Sequence, residues 1–482
     1  MAAGDLTDLT QPDPNIAEAH ELHRALGPVH LTMIGIGCII GAGIFVITGT
    51  AAAQHAGPAV LISFVIAALG CLFAGLCYAE FASMIPESGS AYTYAYATMG
   101  RFMAWFIGWN LVLEYMVSAS TVAVGWSGYF ASFLGDLGIT LPAQFMNAPL
   151  EGKGLGDMHF TGALFNFPAV ALIVLLTVFL VVGVRQSATF NGGMVLLKTA
   201  IVIVVIAFGL PHVHAEHLTP FIPPSEGPGR FGWGGIFTAS GVIFFSYIGF
   251  DSVSVAAQEA RNPQRDVPIG ILGSLGICTV LYMLMALVLV GVTDFRTLDV
   301  PNPVSFAIGR IGPSLHWLVP LVNIGAIVGL ASVVFVSLYG QSRVFYSMAR
   351  DGFIWKMFCT VHPRFRTPHL GTILIGVFAA GLAAIFPLDI LADLVSIGTL
   401  MAFVAVCVGI MMLRVSAPAA ARPFRTPLVW VVAPAGVLIC GFMMVSLGAA
   451  TWIRLVVWTI AGLFIYFLYG QKHAAPSKWK VR

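Results

Sequence analysis

Charged residues are scarce in this sequence. Aspartate, glutamate, lysine and arginine make up 9% of the 482 residues, whereas soluble domains carry about 25%. Hydrophobic residues make up 58%, and the mean hydropathy is +0.91. So few charges cannot cover a surface that faces water, so most of the exterior must face lipid. The composition therefore predicts an integral membrane protein with many helical crossings.

Other signals are also missing. The net charge is only +2, and no tract is basic enough to follow nucleic-acid phosphates. The seven cysteines lie mostly in apolar runs without paired spacing, which argues against disulfides or a metal site. His362 and His369 share a loop without a carboxylate or cysteine at ligand spacing. We expect no metal, no cofactor, no nucleic acid, no obligatory protein partner and no enzymatic activity.

Twelve apolar stretches predict membrane helices, centred near residues 40, 70, 115, 175, 198, 246, 280, 330, 378, 402, 438 and 461. With the N-terminus in the cytoplasm, 17 of the 23 lysines and arginines lie inside and five outside. Because cytoplasmic loops are rich in these residues, both termini are predicted to be cytoplasmic, in a multi-pass protein of the cell (inner) membrane. The predicted parts are an N-terminal segment (1–27), a core of about ten helices (28–415), two additional helices (416–470) and a basic tail (471–482).

The first span, HLTMIGIGCIIGAGIFVITG, crowds glycines near its centre. Each glycine in a helix interior costs about 1 kcal/mol relative to alanine. Close packing through small residues would also explain glycines in a membrane helix. The run Gly41-Ala42-Gly43 is denser than that packing requires, so we predict a local unwinding at mid-membrane.

The sixth span, GVIFFSYIGFDSVSVAAQEARNPQRDVPIGI, places Gly249 and Asp251 near mid-membrane. Asp251 is expected to cap a second half-helix by accepting from the N–H of Val253 or Ser254, or to take part in coupling. Such irregular backbone is tolerated only where protein buries it or a cavity adjoins it. Five spans separate the two breaks, as expected if spans 1–5 and 6–10 are inverted repeats with the site between them.

The two breaks together suit one class of ligand. Free N–H groups at the start of a half-helix attract a carboxylate, and the helix dipole adds to that attraction. Free carbonyls at the opposing end accept from an ammonium group. A zwitterionic amino acid carries both charges, so the sequence predicts an amino-acid site.

Longer motifs resemble a known family. GIGCIIGAGIFV resembles the first-span motif of the amino acid–polyamine–organocation superfamily, and FFSYIGFDSVSVAAQEARNPQRDVPIGI resembles its sixth-span signature. AGPAVLISFVIAALGCLFAGLCYAEFASMIPESGSAYTYAY and LYGQSRVFYSMARDGF, followed by RFRTPHLGT, are similar to the cationic amino acid transporter family and its bacterial members. The resemblance covers roughly residues 20–415. It implies an all-α LeuT-type fold of two inverted five-helix repeats with discontinuous helices 1 and 6, alternating access, and uptake of L-amino acids with protons.

The resemblance also implies which residues bind the substrate. The carboxylate would be bound by Gly41, Ala42 and Gly43. The amine would be bound by carbonyls around Ile39, Ile40, Phe245, Ser246 and Ile248. Ala42 departs from the hydroxyl residue often found there, so one carboxylate contact would be missing.

Lys198 lies close to the middle of the fifth span. A charged lysine there costs about 2.5–3.5 kcal/mol, so it should face the bundle and find a partner. One interpretation is a static cation that joins helices. The resemblance instead implies that its ammonium takes the place of a coupling sodium ion, bridging spans 1 and 8. Releasing its proton near neutral pH requires about 4.6 kcal/mol, which burial can supply. We predict Lys198 as the proton-coupling residue.

Glu114 lies near mid-depth on the third span. It is either a protonated acid bonded to a neighbouring helix or a pocket residue that contacts the substrate or joins the proton path. Ser337 in the eighth span is small where bacterial relatives often carry a bulkier residue, so it could admit an arginine or lysine side chain. It could also bond its own helix, and cationic and small neutral amino acids both stay open. Asp393 and Glu80 lie nearer helix ends and are predicted to be structural.

Other functional classes fit less well. An ion channel would need a pore lined by a ring of carbonyls or charges, usually from an oligomer. An exchanger or a sodium-coupled symporter on the same fold is the main alternative to proton symport. Lys198 argues against sodium, because an ammonium and a sodium ion would compete for one place.

Overall fold

The computed structural model describes residues 26–85, 90–152, 158–183 and 188–474, and this part is mainly helical. The first α-helices are α1 (Pro28–Ile39), α2 (Thr48–Ala51), α3 (Val60–Met84), α4 (Ser90–Thr98), α5 (Arg101–Val112), α6 (Ser118–Asp136), α7 (Phe167–Val182), α8 (Ala188–Gly209) and α9 (Gly232–Ile243). They are followed by α10 (Ser252–Val255), α11 (Pro263–Val292), α12 (Pro303–Ile311), α13 (Leu318–Arg350), α14 (His369–Ile385), α15 (Leu388–Ser416), α16 (Val429–Ser446), α17 (Ala449–Ile465) and α18 (Gln471–His473). Strands β1 (Leu150–Glu151) and β2 (His159–Phe160) pair antiparallel, with Leu150 opposite Phe160. The predicted N-terminal segment and basic tail lie mostly outside the described residues.

Within the described residues, nine helical segments are long and apolar enough to cross a membrane. Three shorter apolar helices, α1, α7 and α14, accompany them. The predicted centre near residue 40 falls between α1 and the segment that starts at Gly43, and the other centres fall inside these segments. The all-α membrane class is therefore confirmed, while the number of crossings stays a prediction.

Local sequence sets the ends of individual helices. α7 begins after Asn166, whose side chain accepts from the Ala169 amide at 3.2 Å, and Pro168 occupies its first turn. α14 and α15 are divided by an extended Phe386 and by Pro387, which precedes the first residue of α15. Pro387 therefore marks the break between the two helices.

The most extensive helix packing in the described residues involves α1, α3, α6, α11 and α13. α11 packs along both α1 and α3, and α13 packs along α6. Small residues allow close approach where lipid supplies no hydrophobic drive between helices. A Cβ added to Gly35 of α1 would lie 2.4 Å from the Ser274 Oγ of α11, so only glycine fits there. This packing places the middle of α1 deep inside the protein.

Glu80 forms a buried ion-pair cluster at the end of α3. Its Oε2 accepts from Arg414 Nη2 and from the Thr426 amide, each at 2.8 Å, and its Oε1 lies 3.2 Å from Arg422 Nε. Arg422 also donates to carbonyls at the end of α15. Burial, and next the charge of Arg414, lower the pKa of Arg422, while Glu80 opposes that shift. The cluster joins α3 to α15 and to the loop before α16.

The helix α17 attaches to α5 through stacked tryptophans. The rings of Trp109 and Trp458 lie 4.5 Å apart between centroids, and Trp109 Nε1 donates to the Trp458 carbonyl at 2.9 Å. Near the other end of α17, Thr451 donates to Asp393 of α15 at 3.4 Å. Asp393 and Glu80, both predicted to be structural, therefore make contacts between helices.

Candidate functional site

The first span is interrupted at Ile40, as predicted. α1 ends at Ile39, and Ile40 has an extended backbone with φ −69° and ψ 98°. The chain becomes helical again in a π-helical turn, Gly43–Ile47, where the Phe45 amide donates to the Gly41 carbonyl at 3.4 Å. The first amides of a helix have no acceptor within that helix. The amides around Gly41–Gly43 are therefore oriented as donors at the interruption.

The sixth span is interrupted at Ile248 and Gly249. α9 continues into a 3₁₀ turn, Phe244–Tyr247, after which Ile248 is extended. Gly249 has φ +113°, a conformation that side chains disfavour, and α10 starts at Ser252. A Cβ on Gly249 would lie 2.9 Å from both the carbonyl carbon and the oxygen of Cys38. Gly249 therefore allows the backbones of the two interruptions to touch.

The capping role predicted for Asp251 is wrong. Its side chain makes no hydrogen bond to the start of α10, and the Ser254 amide instead bonds the backbone carbonyl of Asp251 at 2.8 Å. Asp251 has helical angles (φ −65°, ψ −25°), whereas a side-chain cap usually needs an extended residue. Its Oδ2 accepts from the Tyr115 hydroxyl at 2.9 Å. The carboxylate therefore joins the sixth span to the third.

A cavity of about 40 Å³ lies between the two interruptions. Of the predicted site residues, those that line it are Ile39, Gly41, Ala42, Gly43, Glu114, Phe245, Ile248 and Ser337. Ile40, Ser246, Asp251 and Lys198 do not line it. The structure adds lining residues that sequence reasoning missed: Cys38, Tyr115, Ser118, Val122, Gly249, Ser252, Val333 and Val336. Spacing by four could have found several of them, because Ser118 and Val122 follow Glu114 on one helix face and Val333 precedes Ser337.

Lys198 reaches from α8 to the interruption of the first span. Its buried Nζ donates to the Ile40 carbonyl at 2.9 Å and also to the Gly37 carbonyl. A Cβ on Gly329 of α13 would lie 3.4 Å from the Cβ and Cδ of Lys198. The ammonium thus contacts the first span while the stem packs against the eighth, the two spans that the resemblance implied it bridges.

Other carbonyls predicted to bind the substrate amine also have internal donors. The Tyr282 hydroxyl of α11 donates to the Ile39 carbonyl at 2.7 Å, and Lys198 occupies one lone pair of the Ile40 carbonyl. A carbonyl oxygen has two lone pairs. An amine could therefore use Ile39 or Ile40 only through the second lone pair, and their role in binding stays a prediction.

Glu114 is buried at 2% exposure and lines the cavity. Apart from Asp251, no described residue offers the Glu114 oxygens a hydrogen-bond donor. The carboxyl group of Asp251 lies near enough to interact with it. Two carboxylates repel each other, so they can share a hydrogen bond only when one of them is protonated. The pair can therefore hold a proton or face a cationic group of a ligand.

Ser337 lines the cavity from α13. Its hydroxyl makes no hydrogen bond to its own helix in the described structure, unlike Ser332 and Ser342 of the same helix, which donate to Gly329 and Tyr339. The alternative that Ser337 only bonds its own helix is therefore not observed. Val333 and Val336 flank it, so this wall of the cavity is mainly apolar.

A family profile for amino acid permeases matches residues 26–470. The chain belongs to the amino acid permease family. The match includes both interruptions and the cavity between them. This permease therefore belongs to the amino acid–polyamine–organocation superfamily that its motifs resembled.

Three relatives are similar to this permease over most of its length. A branched-chain amino acid permease of Bacillus subtilis is 46% identical over 454 residues, covering 94% of each chain. A methylthioribose transporter of the same organism is 43% identical over 462 residues, covering 96% of each chain. A vacuolar cationic amino acid transporter of Arabidopsis thaliana is 39% identical over 399 residues, covering 83% of this permease and 64% of that protein. All three are carriers by name, and the homology supports transport of amino acids.

Proposed function

We propose that this permease is a proton-coupled symporter that imports L-amino acids across the bacterial inner membrane by alternating access. The observation that carries the proposal is the contact of the Lys198 ammonium with the carbonyls of Gly37 and Ile40 at the interruption of the first span. Lys198 would carry the coupling proton, and its contact with the first span supports this role because the amides of that segment would bind the substrate. A carrier rather than an enzyme fits the homology with permeases.

The proposed architecture is a LeuT-type fold with twelve crossings and both termini in the cytoplasm. Residues 28–415 would form two inverted repeats of five helices, and residues 416–470 would add two further helices. Interruptions in the first and sixth spans, which hold corresponding positions in such repeats, support this division. Residues 1–27 and 471–482 would be cytoplasmic.

Substrate recognition would rest mainly on backbone groups. The amides of Gly41, Ala42 and Gly43 would donate to the carboxylate, favoured by the positive end of the half-helix dipole. The carbonyls of Phe245, Ser246 and Ile248, with the second lone pairs of Ile39 and Ile40, would accept from the amine. Such a site would bind the carboxylate and amine of any L-amino acid. The residues of the cavity wall would then determine which side chains fit.

Proton coupling would act through the Gly37 and Ile40 carbonyls, which accept hydrogen bonds from Lys198. A buried carbonyl that loses its donor is destabilised by about 1–3 kcal/mol. Loss of the proton from Lys198 would weaken its hydrogen bonds to the Gly37 and Ile40 carbonyls. The two halves of the first span could then rearrange. Glu114, beside Asp251, is the second site where a proton could enter the cycle.

The residues that line the cavity favour two classes of substrate side chain, aliphatic and cationic. Val122, Val333 and Val336 form an apolar wall, which favours aliphatic amino acids, and the branched-chain permease is a relative of high identity. Glu114 and the small Ser337 favour a cationic side chain, because a buried carboxylate that lines the cavity would pair with it. We propose aliphatic amino acids first and cationic ones as the second candidate.

The test is uptake of radiolabelled L-leucine, L-alanine and L-arginine into proteoliposomes with imposed pH or sodium gradients. We expect accumulation driven by an inward proton gradient and insensitive to sodium. Accumulation that follows sodium alone would refute proton coupling. Uptake that needs an amino acid preloaded inside, with either gradient ineffective, would identify an exchanger.

The matching variant is Lys198→Ala in the same vesicles. We expect it to lose proton-driven accumulation while still binding substrate, because the amides of Gly41–Gly43 remain. Accumulation equal to that of the wild type would remove Lys198 from the coupling mechanism and leave the rest of the proposal standing.

A further inference from the structure

The two interruptions touch each other at two places. Gly249 packs against the backbone of Cys38, and Gly43 packs so closely on Ser246 that an added Cβ would lie 2.3 Å from the Ser246 Cα. These contacts fix how near the interruptions lie, but neither glycine has a side chain that could form a directional bond. A hydrogen bond from a third helix would set the orientation of the carbonyls at the end of α1.

Tyr282 of α11 contacts both interruptions. Its hydroxyl donates to the Ile39 carbonyl, the last residue of α1, at 2.7 Å, and its side chain is fully buried. Its ring packs against Tyr247, the last residue of the 3₁₀ turn before the second interruption, with 5.6 Å between centroids. Phe64 of α3 supports both rings, at 5.9 Å from Tyr282 and 6.3 Å from Tyr247. One side chain therefore joins the two interruptions.

We propose that Tyr282 is a positioning residue for substrate binding, which holds the unwound end of α1 in the orientation that presents the amides of Gly41–Gly43 to the substrate. The inference rests on the proposed function, because it assigns those amides to the substrate carboxylate. Tyr282 does not line the cavity and would act only through the backbone of Ile39.

The chemistry favours orientation over simple packing. A buried carbonyl seeks a donor, and near Ile39 the ammonium of Lys198 already serves the neighbouring carbonyls of Gly37 and Ile40. Without the Tyr282 hydroxyl, the Ile39 carbonyl would compete for that ammonium or turn toward the cavity. Either change rotates the peptide units that follow, which include Gly41.

The test compares Tyr282→Phe with a matched control, Tyr129→Phe. Both changes remove one buried tyrosine hydroxyl that bonds a carbonyl of the first span, but Tyr129 bonds Phe45, inside the helical half beyond the interruption, at 2.6 Å. For each full-length carrier, initial rates of L-leucine and L-arginine uptake give KM and Vmax, with the amount of folded carrier measured by size-exclusion chromatography. We expect Tyr282→Phe to raise KM about tenfold with Vmax within about twofold, and Tyr129→Phe to leave KM within about twofold.

A second measurement, the labelling rate of a cysteine, tests the structure of the first-span interruption without measuring transport. Cys38 is partly exposed in the cavity, next to Ile39, and Cys359 is the other cysteine of intermediate exposure in the described residues. In a Cys359→Ser background, native membranes are treated with a small methanethiosulfonate reagent, and labelling of Cys38 is followed over time. We expect Tyr282→Phe to change the labelling rate severalfold and Tyr129→Phe to leave it unchanged.

Three results would overturn the inference. They are an unchanged KM with an unchanged labelling rate in Tyr282→Phe, an equal rise in KM in both variants, or a loss confined to Vmax. If the wild type accumulates neither amino acid, the proposed function fails. The labelling rates would then still decide whether Tyr282 orients the end of α1.

Discussion

Replacing Gly249 with alanine tests the contact between the two interruptions. Alanine at φ +113° is strained by about 1–3 kcal/mol. Its Cβ would also lie 2.9 Å from the carbonyl carbon and oxygen of Cys38. Both of those atoms belong to the backbone, so they cannot rotate away, and such overpacking adds about 1–3 kcal/mol. The two effects together destabilise the folded carrier by about 2–6 kcal/mol.

The control for Gly249→Ala is Gly276→Ala in α11. A Cβ there meets no atom within 4 Å, and alanine is favoured over glycine in a helix by about 1 kcal/mol. The same chemical change should therefore lower the thermal midpoint at residue 249 and leave it equal or higher at residue 276.

The assay for this pair combines thermal denaturation in detergent with L-amino-acid uptake in proteoliposomes. We expect Gly249→Ala to lower the denaturation midpoint by several degrees and to abolish most uptake, with Gly276→Ala close to the wild type in both. Normal uptake and stability in Gly249→Ala would refute the close contact of the interruptions, and with it the cavity as described.

Three further predictions use other contacts. Glu80→Ala leaves Arg422 without its buried partner and should destabilise the carrier by about 3–5 kcal/mol, seen as a lower thermal midpoint, while Glu80→Gln should lose less because it keeps an acceptor. Ser337→Met should narrow the cavity and reduce competition by arginine more than by alanine, and equal reduction of both would contradict that role. Trp458→Ala removes the stack on Trp109 and should cost about 1 kcal/mol beyond lost packing, with KM unchanged. A changed KM there would place α17 in the transport core.

The glycine positions at the interruptions were predictable because only glycine readily adopts certain backbone angles and allows another backbone to approach closely. Gly249 takes a backbone angle that other residues avoid, and Gly43 meets the backbone of the sixth span. Both readings of the first-span glycines hold in the structure, since Gly35 serves close packing and Gly41 adjoins the unwound residue. Sequence patterns capture such positions because the requirement lies in the residue itself.

The role of Asp251 was not predictable in the same way. Capping depends on the backbone angles of the residue, and the sequence of the sixth span does not give them. The structure assigns helical angles to Asp251 and brings Tyr115 from the third span to its carboxylate. Tyr282 was missed for the same reason, because its contact with Ile39 joins residues 243 positions apart. Long-range contacts of this kind carry no local signal.

A broken helix inside a membrane must find donors for the carbonyls that it frees, because lipid supplies none. Here the donors come from the protein: Lys198 serves Gly37 and Ile40, and Tyr282 serves Ile39. Three carbonyls of the interruption are therefore satisfied without a ligand. On the amide side no side chain caps the half-helix that follows Ala42. The internal donors stabilise one side of the break, and the other side is where an anionic group such as a carboxylate gains most on binding.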